Sequence, residues 1–117
     1  MKKDITDSKD IQHLINTFYQ RVIHDDVIGF FFTRVVKLDF DHHLPIMYSF
    51  WETVLLGKPS YKGNPVARHV ELHRKEPLKE YQFDRWLALW NATVDELFKG
   101  SVANQAKTKA DTMKQLM

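Results

Sequence analysis

The chain has 117 residues, with 17 basic and 15 acidic side chains and a formal net charge of +2. That length predicts one domain, residues 1–117, able to bury a core without staples. A surplus of two charges is not the dense Lys/Arg patch of a nucleic-acid binder, and the absence of cysteine excludes disulfides, thiolate metal sites and a cysteine nucleophile. No apolar core follows the lysines of Met1-Lys2-Lys3-Asp4, and no apolar run approaches the ~20 residues needed to span a bilayer. The expectation is therefore a cytoplasmic protein with neither a nucleic-acid nor a membrane partner. Aromatic content is high, with eight Phe, four Tyr and three Trp beside six His. Such an excess points to an enclosed flat ligand or to a sticky face.

The periodicity is helical throughout. A first helix is predicted over residues 8–24, with Ile11, Leu14, Ile15, Phe18, Tyr19, Val22 and Ile23 on one stripe and Asp7 or Ser8 as its cap. Gly29 then opens a short aromatic segment, Phe30-Phe31-Phe32, read as a turn or two of helix. A second long helix is expected over 41–56, capped by Asp39 or Asp41 and carrying His43, Met47, Phe50, Trp51 and Val54 on one stripe. Its Pro45 is tolerable only within the first turn. Gly57 and Pro59 stop it, and residues 57–65 form a Gly/Pro loop.

A short helical piece, Val66 to Leu72, precedes Pro77. A third long helix is expected over 78–99, with Phe83, Trp86, Leu87, Trp90, Val94, Leu97 and Phe98 on its stripe and Gly100 as C-cap. A last helix over 102–116 places Val102, Ala106, Ala110, Met113 and Met117 along one side. The fold class is all-α.

The histidines divide by position. His13 and His24 fall on polar or terminal positions and read as surface. His43 continues the apolar stripe of Met47 and Trp51, so it points inward. His69 and His73 are four apart and could share a helix face for zinc, but a third ligand is needed and Glu71 is misplaced for the metalloprotease pattern. An inward His43 and an inward His69 could equally flank a flat ligand, as the proximal histidine of a haem protein does beside a tuned distal pocket. Tyr19, Trp86 and His43 offer polar atoms for such a pocket. Each also has a plainer role as a core aromatic or a satisfied core histidine.

Particular strings go further. Phe18-Tyr19-Gln20-Arg21-Val22 is followed by His43, Phe50-Trp51 and Leu55-Leu56-Gly57. Tyr61-Lys62-Gly63-Asn64-Pro65 and Arg68-His69 come next, and then Phe83-Asp84-Arg85-Trp86-Leu87-Ala88-Leu89-Trp90 running into Thr93-Val94-Asp95-Glu96-Leu97-Phe98. In this order and spacing, over residues 8–115, the chain resembles the truncated haemoglobins, and within them group III.

The resemblance implies a two-over-two helical sandwich around haem b, with an A helix almost missing. It implies His69 as the proximal iron ligand, and Tyr19, His43 and Trp86 as the distal residues that steady the bound gas. It further implies Phe32 on the haem face, with Met47, Trp51, Tyr61, Arg68 and Trp86 around the cofactor. Paired glycines of the other groups are absent, which agrees with group III. Arg68 beside His69 discourages protonation of the imidazole and could pair with a propionate.

The implied function is binding of oxygen, carbon monoxide and nitric oxide, with redox chemistry such as nitric oxide detoxification or a peroxidase-like reaction. Electrons would come from a separate reductase. Two other classes stay open from the residues alone: a non-enzymatic sensor or helical interaction module, and a zinc protein built on His69 and His73.

Overall fold

A computed structural model describes residues 2–30, 34, 40–58 and 79–116, the side chains of 113–116 excepted. Four long helices carry the described chain: α1 (Ser8–Ile23), α2 (Phe40–Leu56), α3 (Glu80–Leu97) and α4 (Ser101–Leu116). The fold is all-α, as the periodicity predicts. α1 packs on both α2 and α3, and α3 packs along α4. The segment expected to be helical over 66–72 lies outside the described residues, as do Phe31, Phe32, His69 and His73.

Caps explain where the helices begin. Asp7 caps α1, its Oδ1 accepting from the Asp10 amide at 3.0 Å. Asp10 returns the favour to the preceding turn, accepting from the Thr6 amide at 2.9 Å and from Lys3 Nζ at 2.6 Å. α3 starts two residues later than its periodicity suggests. There the side chain of Gln82, three positions in, accepts from the Lys79 amide at 2.8 Å, the reverse half of a capping box. Gln82 is buried, and this bond satisfies its Oε1.

Two expectations need correction. Pro45 is the sixth residue of α2 rather than part of its first turn, because the helix already begins at Phe40. The amide it lacks leaves the Asp41 carbonyl without a helical donor, and Asp41 and Pro45 both lie on the exposed face, where water can serve instead. Asp41 therefore sits inside the first turn and does not cap the helix. Gly100 does not cap α3 either: the C-cap is Phe98, in extended conformation.

Gly100 instead makes room at the start of α4. Its φ of 148° is one that side-chain-bearing residues rarely adopt, and a Cβ there would lie 2.4 Å from Asp4 Cγ. Asp4 uses that room to cap α4 from the far end of the chain. Its two carboxylate oxygens accept from the Val102 amide at 3.0 Å and the Ala103 amide at 2.9 Å. The Lys99 amide donates to the Lys3 carbonyl at 3.0 Å, so the N-terminal segment is tied down beside it.

The core is aromatic and aliphatic, with Phe18, Trp51 and Trp90 surrounded by Ile11, Leu14, Ile15, Val22 and Val94. On α4 the buried stripe is Ala103, Ala106 and Ala110, while Val102 is only half-buried. Small residues let α4 approach α3 closely enough for the Trp90 indole N–H to donate to the Ala106 carbonyl at 3.1 Å. Asp25 locks the turn after α1. Its Oδ2 accepts from the Val27 and Ile28 amides, and its Oδ1 accepts from Arg85 Nη2 at 2.6 Å.

These contacts set an acid response. Burial opposes ionisation of Asp4, but backbone donation from Val102, Ala103, Ile5 and Ser101 outweighs it and holds the carboxyl below its ordinary 3.8. The Arg85 guanidinium, helped by the Ile28 and Val27 amides, outweighs desolvation and lowers Asp25 likewise. A depressed carboxyl contributes stability that is complete above its unfolded value of 3.8 and is lost as pH falls through the lower folded value. Urea unfolding should therefore show stability falling from about pH 4 downward. Asp4→Ala should cost about 1 kcal/mol at neutral pH and flatten that fall. An unchanged urea midpoint at pH 7 would contradict the capping role.

Candidate functional site

The site is assembled from three helices. Tyr19 occupies the α1 position next to Phe18, which is fully buried, so the phenol is carried to the edge of the core. His43 lies in the first turn of α2, and Met47 one turn further on is half-buried along the same face. Trp86 stands on α3, one turn before Trp90, and is half-buried.

The decisive contact joins α1 to α2. The Tyr19 hydroxyl and His43 Nε2 share a hydrogen bond of 2.8 Å, with the two rings edge to face at 5.3 Å. Its direction depends on which imidazole nitrogen carries the proton. Burial pushes the Tyr19 phenol well above its ordinary value of 10.0, so the hydroxyl is a neutral group at physiological pH. Phe40, three residues before His43, meets Tyr19 edge to face at 5.8 Å.

Trp86 joins the same cluster through Phe18. Phe18 meets Tyr19 at 5.1 Å, Trp86 at 5.9 Å and Trp90 at 5.0 Å, all edge to face. His43, Tyr19, Phe18 and Trp86 thus form one continuous run of rings. Trp51 is placed behind this wall. It is 3% exposed and stacks on Trp90 at 4.6 Å and 22°. Phe32, Tyr61, Arg68 and His69 lie outside the described residues.

Sequence periodicity put Tyr19, His43, Met47 and Trp86 on inward faces, and the structure brings Tyr19 and His43 into contact. It missed Phe40. The signal was present, since Phe40 sits one turn before His43, but starting the second helix at 41 left it off the stripe. His13, His24 and His42 are all exposed, as expected of the first two.

The model of the bacterial-like globin family matches residues 3–117. The chain is a bacterial-like globin. It is 25% identical over 107 residues to the group 3 truncated hemoglobin ctb of Campylobacter jejuni, covering 89% of this chain and 82% of that one. The crystal structure of group III truncated hemoglobin from Campylobacter jejuni superposes with a TM-score of 0.84 at 24% identity, covering 98% of this chain and 91% of the other. The fold is thus that of a truncated globin. Globins bind haem, and through it diatomic gases.

The described residues of this globin fit such a group. Leu44, Met47, Trp86 and Leu87 pack against the core yet remain half-exposed, so they offer apolar surface of the kind that covers a flat ring. The Tyr19–His43 pair adds a phenol and an imidazole of the kind that orients a small polar ligand. Among the described residues no group of three His, Cys, Asp or Glu could hold a metal ion by itself. No helix among them is long and apolar enough to cross a membrane.

Removing the Tyr19 hydroxyl takes a partner from His43 in a half-buried place. Tyr19→Phe should lower unfolding stability by about 1 kcal/mol, and His43→Phe added to it should cost much less than when made alone. A double-mutant cycle in urea checks this, and full additivity would contradict a direct Tyr19–His43 interaction.

Proposed function

We propose that this globin holds haem b with His69 as the proximal iron ligand and binds oxygen, carbon monoxide and nitric oxide against Tyr19, His43 and Trp86, as a member of group III. The observation that carries the reading is the 2.8 Å bond between Tyr19 and His43, two residues 24 positions apart on different helices. Placing a phenol and an imidazole together beside an apolar lining costs desolvation, and a small polar ligand offers a return on it.

The haem, when bound, supplies the iron centre at which a gas binds and electrons are exchanged. The chain supplies the rest. Met47 and Trp86 line the pocket, and Trp51 backs it from the core. Phe32, Tyr61 and Arg68 complete the cofactor contacts, Arg68 also favouring a neutral His69. The Tyr19 hydroxyl and the Trp86 indole N–H are donors for a diatomic ligand carrying partial negative charge. His43, as a neutral imidazole whose Nε2–H donates to the Tyr19 oxygen, holds Tyr19 in place and leaves the phenol hydrogen for the ligand. The Trp86 indole N–H, left without a partner in a half-buried place, would cost roughly 1–3 kcal/mol, which a polar ligand recovers.

A pocket that grips a gas so firmly suits chemistry better than transport. The reactions proposed are nitric oxide detoxification or a peroxidase-like reduction, with electrons from a separate reductase and a cytoplasmic setting.

The test is the oxygen dissociation rate. Each lost donor is worth about 1.4 kcal/mol, which is tenfold in rate. Tyr19→Phe and Trp86→Phe should each speed dissociation about tenfold. Rates unchanged in both variants would overturn the distal assignment.

A further inference from the structure

The three tryptophans of the chain are not scattered. Trp86 and Trp90 lie on consecutive turns of α3 with rings parallel within 6° and centroids 6.4 Å apart. Trp90 stacks in turn on Trp51 of α2 at 4.6 Å. The array therefore runs from the half-buried edge of the gas pocket to the middle of the core. Packing alone asks only for apolar volume at these positions; it does not ask for three indoles in ring-to-ring contact.

We propose that Trp86, Trp90 and Trp51 form an electron reserve that donates one electron to the site when it is oxidised by a peroxide, leaving the hole on the Trp90–Trp51 pair. This rests on the haem reading above. Indole and phenol are the most easily oxidised neutral side-chain rings. A phenol must give up its proton to be oxidised cheaply, whereas an indole can lose an electron alone.

The site favours a hole on Trp90. Its N–H points at the Ala106 carbonyl oxygen at 3.1 Å, the negative end of a peptide dipole, which steadies positive charge on the ring. Stacking on Trp51 spreads that charge over two rings. The N–H proton stays on nitrogen, because a carbonyl is too weak a base to take it.

The balance is simple. Hydrogen peroxide, two solvent protons and two electrons give two waters. The haem group, when bound, would advance both electrons. One would be restored by Trp86, which is refilled by Trp90, with no bond formed or broken at any ring. An external one-electron donor, such as the proposed reductase, would supply the second and later refill the pair.

The experiment mixes the haem-loaded full chain with hydrogen peroxide, freezes it within milliseconds and records the organic radical by electron paramagnetic resonance. An absorption spectrum taken first shows whether haem is bound. The proposal expects a radical signal that narrows in protein grown on ring-deuterated tryptophan, and at least a fivefold loss of that signal in Trp90→Phe and in Trp51→Phe. A signal that narrows only with ring-deuterated tyrosine would place the hole on Tyr19 or another phenol and overturn it. So would an undiminished signal in either variant that still binds haem, or no organic radical at all. Should both variants fail to hold haem, the isotope result in the unaltered chain decides. Absence of any haem band in the unaltered chain overturns the haem reading and the reserve with it, an outcome distinct from a bound haem without a tryptophan radical.

Discussion

Everything in the site hangs on one meeting of rings, the edge-to-face contact of Phe18 on α1 with Trp90 on α3 at 5.0 Å. Phe18 and Trp90 are both essentially inaccessible to solvent, so neither ring can shift without opening a cavity. From that fixed point the rest follows by adjacency. Tyr19 is the next residue after Phe18, and Trp86 is one turn before Trp90. Trp51 lies flat on Trp90 and thereby fixes the roll of α2, which carries His43. Tyr19, His43 and Trp86 are thus held by the buried Phe18, Trp90 and Trp51 behind them. That is how a functional constellation is kept in register on a small scaffold.

The same constraint accounts for the alanine stripe of α4. A tryptophan at position 90 needs space on the side away from α1, and Ala103, Ala106 and Ala110 provide it. The closeness then lets the indole N–H reach the Ala106 carbonyl, so the one polar atom of Trp90 is satisfied in the core. The cap that starts α4 comes from Asp4, at the other end of the chain, through the opening left by Gly100. Stability of the α3–α4 pair is therefore coupled to the segment that precedes α1.

The helices were legible because their apolar residues recur at helical spacing. Asp7 as a cap could be read directly, since its partner amide is three residues away. Asp4 as the cap of α4 could not, because that bond spans 98 residues. Gly100 after a helical stripe is the usual mark of a C-cap, and here the marker belongs to the following helix. Tyr19 and His43 read as inward residues from their stripes, but nothing in periodicity says that inward residues of two helices will meet. Their 2.8 Å hydrogen bond is what the structure adds. The aromatic excess was informative only in part. Phe18, Phe50, Trp51, Trp90 and Phe98 are consumed by the protein's own core, and Phe30 and Tyr81 are exposed.

The central claim is that this aromatic frame presents a haem pocket whose iron is held by His69. The most direct test is the absorption spectrum of the purified protein, with hemin added, beside that of His69→Gly. The account predicts a strong Soret band in the natural chain that is lost or shifted in the variant and moves back when imidazole is supplied. A chain that stays colourless with hemin, or a band that His69→Gly leaves untouched, would contradict it.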